Sequence, residues 1–291
     1  MPTERFGKVR RLLKNSLAHV VCRIPFTIQL DYDTTDYTQP VSLGVDAGSK
    51  HIGISATTSE KELYAADVEL RNDIVDKLST RREQRRTRRS RLRYRKARFN
   101  NRVSSKRKGW LAPSVENKIQ THLTVVEKIH KFLPITNIVV ETASFDIQKI
   151  NNPSISGSEY QQGEQLDFFN VREYVLFRDN PTAKPLGYYF YQKKVRCQNR
   201  QIHKVNFLKG GRKKLNQAPF LVKGFRLFDL VEYQKELYYI FGRRSSGSFD
   251  IRKLDGTKVN KGSINCKYLR LIDTRKSILI EKRTQGAYPC E

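Results

Sequence analysis

An α/β fold joined to an all-β C-terminal region is what this sequence predicts, on three observations. Strand-like apolar segments alternate with helical periodicity up to about Glu141. An uninterrupted arginine-rich run lies between them. From Tyr188 onward, short alternating segments are separated by turn sequences such as "RRSSG" and "LDGTK", at the spacing of a small β-barrel.

Composition narrows the partners before any motif is read. The 291 residues carry 56 Lys and Arg against 29 Asp and Glu, a formal net charge of +27. Such a surplus repels itself in a compact chain and calls for a polyanion. Nucleic acid fits better than a membrane, because there is no long apolar segment and the N-terminus is polar and basic. Cys22, Cys197, Cys266 and Cys290 are far apart and form no CxxC pair, so neither zinc nor a disulfide framework is expected. A merely basic, ribosomal-type RNA-binding protein satisfies the same composition.

Residues 1–30 read as a helix from about Phe6 to Lys14, then a strand "HVVCRIPFTIQL", with Arg10, Arg11 and Lys14 pointing outward. Three short strands follow: "VSLGVDAG", "HIGISATT" and "KELYAADVEL", split by the turn-competent "GSK" and "SEK". They form an antiparallel meander whose first strand ends on Asp46. From Arg81 to Arg102 the sequence has 12 basic residues in 22 and only Glu83 is acidic. Arginine is a good helix former, and the run would span about 33 Å as a helix. Its basic residues fall on every face, and like charges four apart (Arg81, Arg85, Arg89, Arg93) would destabilise it alone. A solvated basic tail is the simpler account. An internal position and interleaved Leu92, Tyr94 and Phe99 favour a helix clamped by nucleic-acid backbones.

Ser114 is placed to cap the next helix, with Glu116 in its first turn. Ile119, Leu123, Val126, Ile129 and Leu133 give it one apolar face, and Pro134 ends it. "ITNIVVETA" then reads as a buried parallel strand ending on Glu141. A polar loop over 151–163 precedes a helix "EQLDFFNVREYVLFRD", which "NPTAKPLG" breaks.

A strand ending in Asp, a meander, a helix and a parallel strand ending in Glu describe an RNase H-like sheet. A right-handed crossover would bring the parallel strand beside the first, setting Asp46 next to Glu141. Two carboxylates there can share divalent metal, which activates water and stabilises the leaving oxygen of a phosphodiester. Alone, "DAG" is an ordinary turn. It could also serve a phosphate loop of an actin-like ATPase, but that needs a second lobe, and "LDGTK" stands in a β-barrel pattern instead.

"VSLGVDAGSKHIGISATT", "RREQRRTRRSRLRYRKARFNNR" and "NIVVETASFDIQKI" together resemble the IscB family of transposon-encoded, RNA-guided nucleases. The resemblance divides the chain into an N-terminal segment (1–38), RuvC-like strands with the first motif (39–80) and an arginine-rich bridge helix (81–109). A second RuvC-like motif with helices (110–180) and a β-rich nucleic-acid-binding domain (181–291) follow. It implies an incomplete RNase H-like (RuvC) mixed sheet and a C-terminal small β-barrel-like domain. Asp46 matches the first RuvC carboxylate and Glu141 the second, as catalytic and Mg2+-binding residues. Arg81, Arg82, Arg85, Arg86, Arg88, Arg89, Arg91, Arg93, Arg95, Arg98 and Arg102 match the helix that contacts guide RNA. Structured guide RNA and target DNA are the implied partners, for a monomer in a ribonucleoprotein of the nucleoid-associated prokaryotic cytoplasm.

The chain departs from that family near Asp179 and Asn180. The HNH domain, with its CxxC pairs and His-His motif, and the third RuvC motif are missing there, as after an in-frame deletion. Relatives without the HNH domain keep the third carboxylate. Asp179 is the one residue near the junction that could stand in for it. Impaired cleavage is the expectation, with a working nickase as the alternative.

Overall fold

The computed structural model describes Thr3 and residues 5–35, 37–92, 109–141, 183–197 and 219–284. The chain divides into two compact units. One comprises Met1–Leu70, Thr121–Gln192 and Ile280–Glu291, the other Arg71–Gln120 and Lys193–Leu279.

In the first unit, helix α1 spans Phe6–Lys14, as its apolar spacing predicts. The following apolar run is not one strand. Pro25 has no N–H to give a ladder, and the chain turns there into a hairpin of β1 (Ala18–Arg23) and β2 (Phe26–Leu30), with Arg23 opposite Phe26. Next come β3 (Val41–Asp46), β4 (His51–Thr57) and β5 (Glu62–Glu69), an antiparallel meander. The β3–β4 turn leaves no room for a side chain at Gly48, where a Cβ would stand 2.3 Å from the His51 carbonyl oxygen.

Helix α3 spans Pro113–His130. Proline takes its first position, where a missing N–H costs nothing, so Ser114 lies inside the helix instead of capping it. Its buried stripe is Thr121, Val125 and Ile129, whereas Ile119 and Leu123 are exposed. Strand β6 (Ile135–Glu141) runs parallel to β3, so meander plus parallel strand give a mixed sheet of RNase H-like topology. Contrary to its unbroken apolar run, β6 is not buried. Among the described strands it lies at the sheet edge, and Ile138, Val139 and Val140 are exposed.

With two later strands, β7 (Tyr188–Lys194) and β13 (Ile278–Thr284), the described residues form a six-stranded sheet of order β13-β7-β5-β4-β3-β6. Their sequences group with the C-terminal β-rich segments, yet both extend the first sheet beyond β5. Successive side chains alternate across it. Val41, Leu43 and Val45 share one face with Ile52, Ile54, Tyr64, Ala66 and Val68, and all are buried. The Tyr64 ring stacks on Phe190 and meets Phe132 edge-on, at 5.3 and 5.4 Å between centroids.

In the second unit, α2 spans Ile74–Leu92, beginning seven residues before the arginine run. Its start is anchored by Asp73, whose Oδ1 accepts from Arg71 Nε (2.9 Å) and Nη2 (2.7 Å) and whose Oδ2 accepts from Lys77 Nζ. Burial opposes ionisation of Asp73, but the bonds from Lys77 and Arg71 hold its carboxyl below the usual range. A separate, curled antiparallel sheet has the order β11-β10-β9-β8-β12. Its strands are β8 (Leu230–Tyr233), β9 (Glu236–Arg243), β10 (Ser248–Arg252), β11 (Ile264–Asn265) and β12 (Arg270–Asp273). Bulges after Asp250 and Leu271 add curvature, and the five strands form a half-barrel around Val231, Ile240, Phe249 and Ile251. Among the described residues, no helix is long and apolar enough to cross a membrane.

Candidate functional site

The face opposite the apolar one is polar, and its acidic groups line up. Asp46 pairs with Glu141 on parallel β6 and with Gly53 on antiparallel β4, and Gly53 pairs with Asp67 on β5. Residues directly opposite on adjacent strands point to the same face. Glu141, Asp46 and Asp67 therefore share one row, with side-chain-free Gly53 between the last two. Sequence reasoning missed Asp67. Its signal was the register, countable from the two hairpin turns.

Burial, with the nearby Glu141 carboxylate, pushes the Asp46 carboxyl up to about 6; Asp67 adds to the rise and His122 of α3 opposes it. Glu141 Oε2 is buried and has no hydrogen-bond partner among the described residues. Asp67, 8 % exposed, is placed by His51, whose Nδ1 lies 2.9 Å from its Oδ1. Two residues further along the same face, Glu69 accepts from the Tyr191 hydroxyl, and the Arg283 guanidinium lies 3.8 Å from the Tyr191 ring centroid. Burial, followed by the bond to Glu69, raises the Tyr191 hydroxyl pKa well above its ordinary value.

A raised carboxylate pKa has a definite consequence for stability. Between its ordinary value near 3.8 and about 6, Asp46 keeps a proton in the folded chain that the unfolded chain has lost. Stability contributed here is therefore present at low pH and lost as pH rises through that window. Asp46 is half-buried, so solvent screening reduces the effect to on the order of 1 kcal/mol. Asp46→Asn is expected to stabilise the metal-free protein at pH 7 but not at pH 4, read from urea midpoints at both pH values.

Of the basic residues, Arg81, Arg82, Arg85, Arg86, Arg88, Arg89 and Arg91 stand on α2, and the first four are exposed. Arg93, Arg95, Arg98 and Arg102 lie outside the described residues, as does Asp179. Among the described residues, no group of three or more His, Cys, Asp or Glu side chains is gathered closely enough to hold a metal.

The sheet belongs to the RNase H-like class, with Asp46 and Glu141 in register at the ends of β3 and β6, an arrangement consistent with a nuclease-like function. The sequence profile of the RRXRR protein family matches residues 1–163, more than half of the chain. The chain belongs to that family. Comparison with curated proteins returns no match.

Proposed function

We propose that this chain is an RNA-guided, RNA- and DNA-binding protein of the IscB type, with a weakened two-carboxylate site for phosphodiester cleavage. The observation that carries the proposal is the in-register pairing of Asp46 with Glu141 in an RRXRR-family chain. Guide RNA lies along the arginines of α2, where guanidinium groups suit a phosphate backbone and base pairing supplies sequence.

The pair fits one hard divalent cation. The lone Oε2 of Glu141 and the like-charge strain on Asp46 are both relieved by positive charge between them. Mg2+ commonly takes one or two carboxylates and fills its other positions with water and substrate phosphate. Asp46 and Glu141 would hold the ion, which would supply an activated water and charge stabilisation of a leaving oxygen. Asp67, held by His51, adds negative charge to the setting of Asp46, and His122 opposes it. The sequence offers no zinc ligand set. It also lacks the third RuvC motif, the reason cutting is weakened. The protein works as a monomer within a ribonucleoprotein of the cytoplasm.

Titrating Mn2+ or Mg2+ against the thermal midpoint tests the site. At roughly ten times Kd the wild type gains about 1.4 kcal/mol, and Asp46→Asn and Glu141→Gln gain nothing. An equal gain in both variants would place the metal elsewhere. Guide RNA, target DNA and Mg2+ together should give guide-dependent DNA retention with little cutting. Equal retention with random RNA would sink the guided reading. Vigorous cutting that Asp46→Ala abolishes would replace weakened cleavage with a working nickase.

A further inference from the structure

The second unit holds a cavity of about 320 Å³ lined by Gly242, Arg243, Arg244, Asp250, Lys258 and Lys261. Four of those six residues are cations, and among the described residues none of the four forms a salt bridge. The single acid is already neutralised: Asp250 accepts from Arg252 Nε (3.0 Å to Oδ1) and from its Nη2. The cavity lining is thus net positive, with Asp229 acting on Arg243 without a salt bridge.

Backbone geometry keeps these cations together. A Cβ on Gly242 would lie 2.9 Å from Asp250 Cβ, so glycine lets β9 and β10 approach closely at the bulge. Asn260 and Lys261 both hold φ in the left-handed region, at 44° and 53°. Lysine adopts that conformation at a cost, which is the kind of strain that concentrates at binding sites.

An aromatic platform adjoins the cavity through Arg243, whose Nη1 donates to the Phe220 carbonyl. The Phe220 ring is flanked by Arg275 and Arg226, with guanidinium carbons 4.7 and 5.6 Å from its centroid, yet the residue remains 55 % exposed. Burial, and then the neighbouring charge of Arg275, make the Arg243 guanidinium harder to keep charged. An incoming anion relieves that crowding.

We infer that this surface grips a single-stranded nucleic-acid segment, with a backbone phosphate in the Arg243–Arg244–Lys258–Lys261 cavity and an unpaired base stacked on Phe220. Phosphate-tracking cations beside an exposed aromatic ring are the two parts that single-strand recognition needs. A duplex keeps its base faces stacked inside and offers none to the ring. The inference extends the nucleic-acid reading above and does not depend on the carboxylate pair.

Photocrosslinking of the full chain tests it, using oligonucleotides of about 12 nucleotides containing 5-iodouracil. RNA, DNA and self-complementary duplex forms are compared, and adducts are mapped by peptide mass spectrometry. Single strands should give an adduct on the peptide containing Phe220, and RNA against DNA yields identify the natural source. Lys258→Glu with Lys261→Glu, both exposed, should cut that adduct at least fivefold; Lys258→Gln with Lys261→Gln serves if the charge reversal fails to fold. Asp46→Asn should leave it unchanged, which separates this site from the cleavage site. Equal adduct from duplex, undiminished adduct in both lysine variants, or adducts confined to other peptides would overturn the inference.

Discussion

Replacing Arg81, Arg82, Arg85 and Arg86 together with glutamine is expected to lower affinity for structured RNA about a thousandfold at physiological salt. Each phosphate contact contributes roughly 0.9 to the slope of log K against log salt, so four lost contacts remove about three decades near 0.15 M. The plot of log K against log salt should flatten by roughly 3 to 4 in the same variant. All four residues are exposed on α2, and glutamine keeps the helix propensity of arginine. The free variant should melt no lower than the wild type, because like charges four apart no longer repel. Filter binding across a salt series reads both quantities. An unchanged slope would remove α2 from the RNA interface.

The second large effect concerns folding. Glu62 is 1 % exposed at the start of β5; its Oε1 accepts from Ser55 Oγ at 2.7 Å and its Oε2 from Leu186 N at 2.8 Å. The adjoining backbone is laced to the same segment, with Glu62 N donating to Lys184 O and Lys184 N to Glu60 O, both at 2.9 Å. Glu62→Ala strands a buried hydroxyl and a partly buried N–H and leaves a cavity, a loss of roughly 2–4 kcal/mol. Glu62→Gln keeps the shape and one acceptor and should lose less than half as much. Urea midpoints at constant m-value check both. Equal losses would mean that charge, and not hydrogen-bond satisfaction, is what Glu62 provides.

Much of the first sheet was legible because its strands obey local rules. Alternation in "VSLGVD" and turn chemistry in "GSK" fix β3 and β4 as neighbours. The parallel return of β6 then sets Glu141 beside Asp46, a juxtaposition that depends on topology more than on any motif. The errors share a cause. An apolar run reports what a strand could bury and not where it lies in the sheet, so Ile138, Val139 and Val140 read as interior although β6 is at the edge. Likewise, "YYFYQKKVR" is a strand by pattern, but local pattern does not say which sheet it joins. Attention to charge also hid the apolar beginning of α2 at Ile74, Val75 and Leu78. His122 had no signal of its own, because a single histidine on a helix acquires meaning only when α3 sets it near Asp46.

The edge position of β6 sets a clock for the candidate site. Asp46 stands on β3, which is laddered on both sides, whereas Glu141 ends a strand whose one ladder among the described residues is with β3. The two carboxylates therefore belong to parts of the sheet with unequal opening free energies. Amide exchange should be faster along Ile138–Glu141 than along Leu43–Asp46. Each opening of β6 dismantles the pair while the rest of the sheet stays folded. A cation held between the two side chains would act as a rivet on that strand, slowing exchange on β6 far more than on β4. The site then reports occupancy through the lifetime of its own outermost strand.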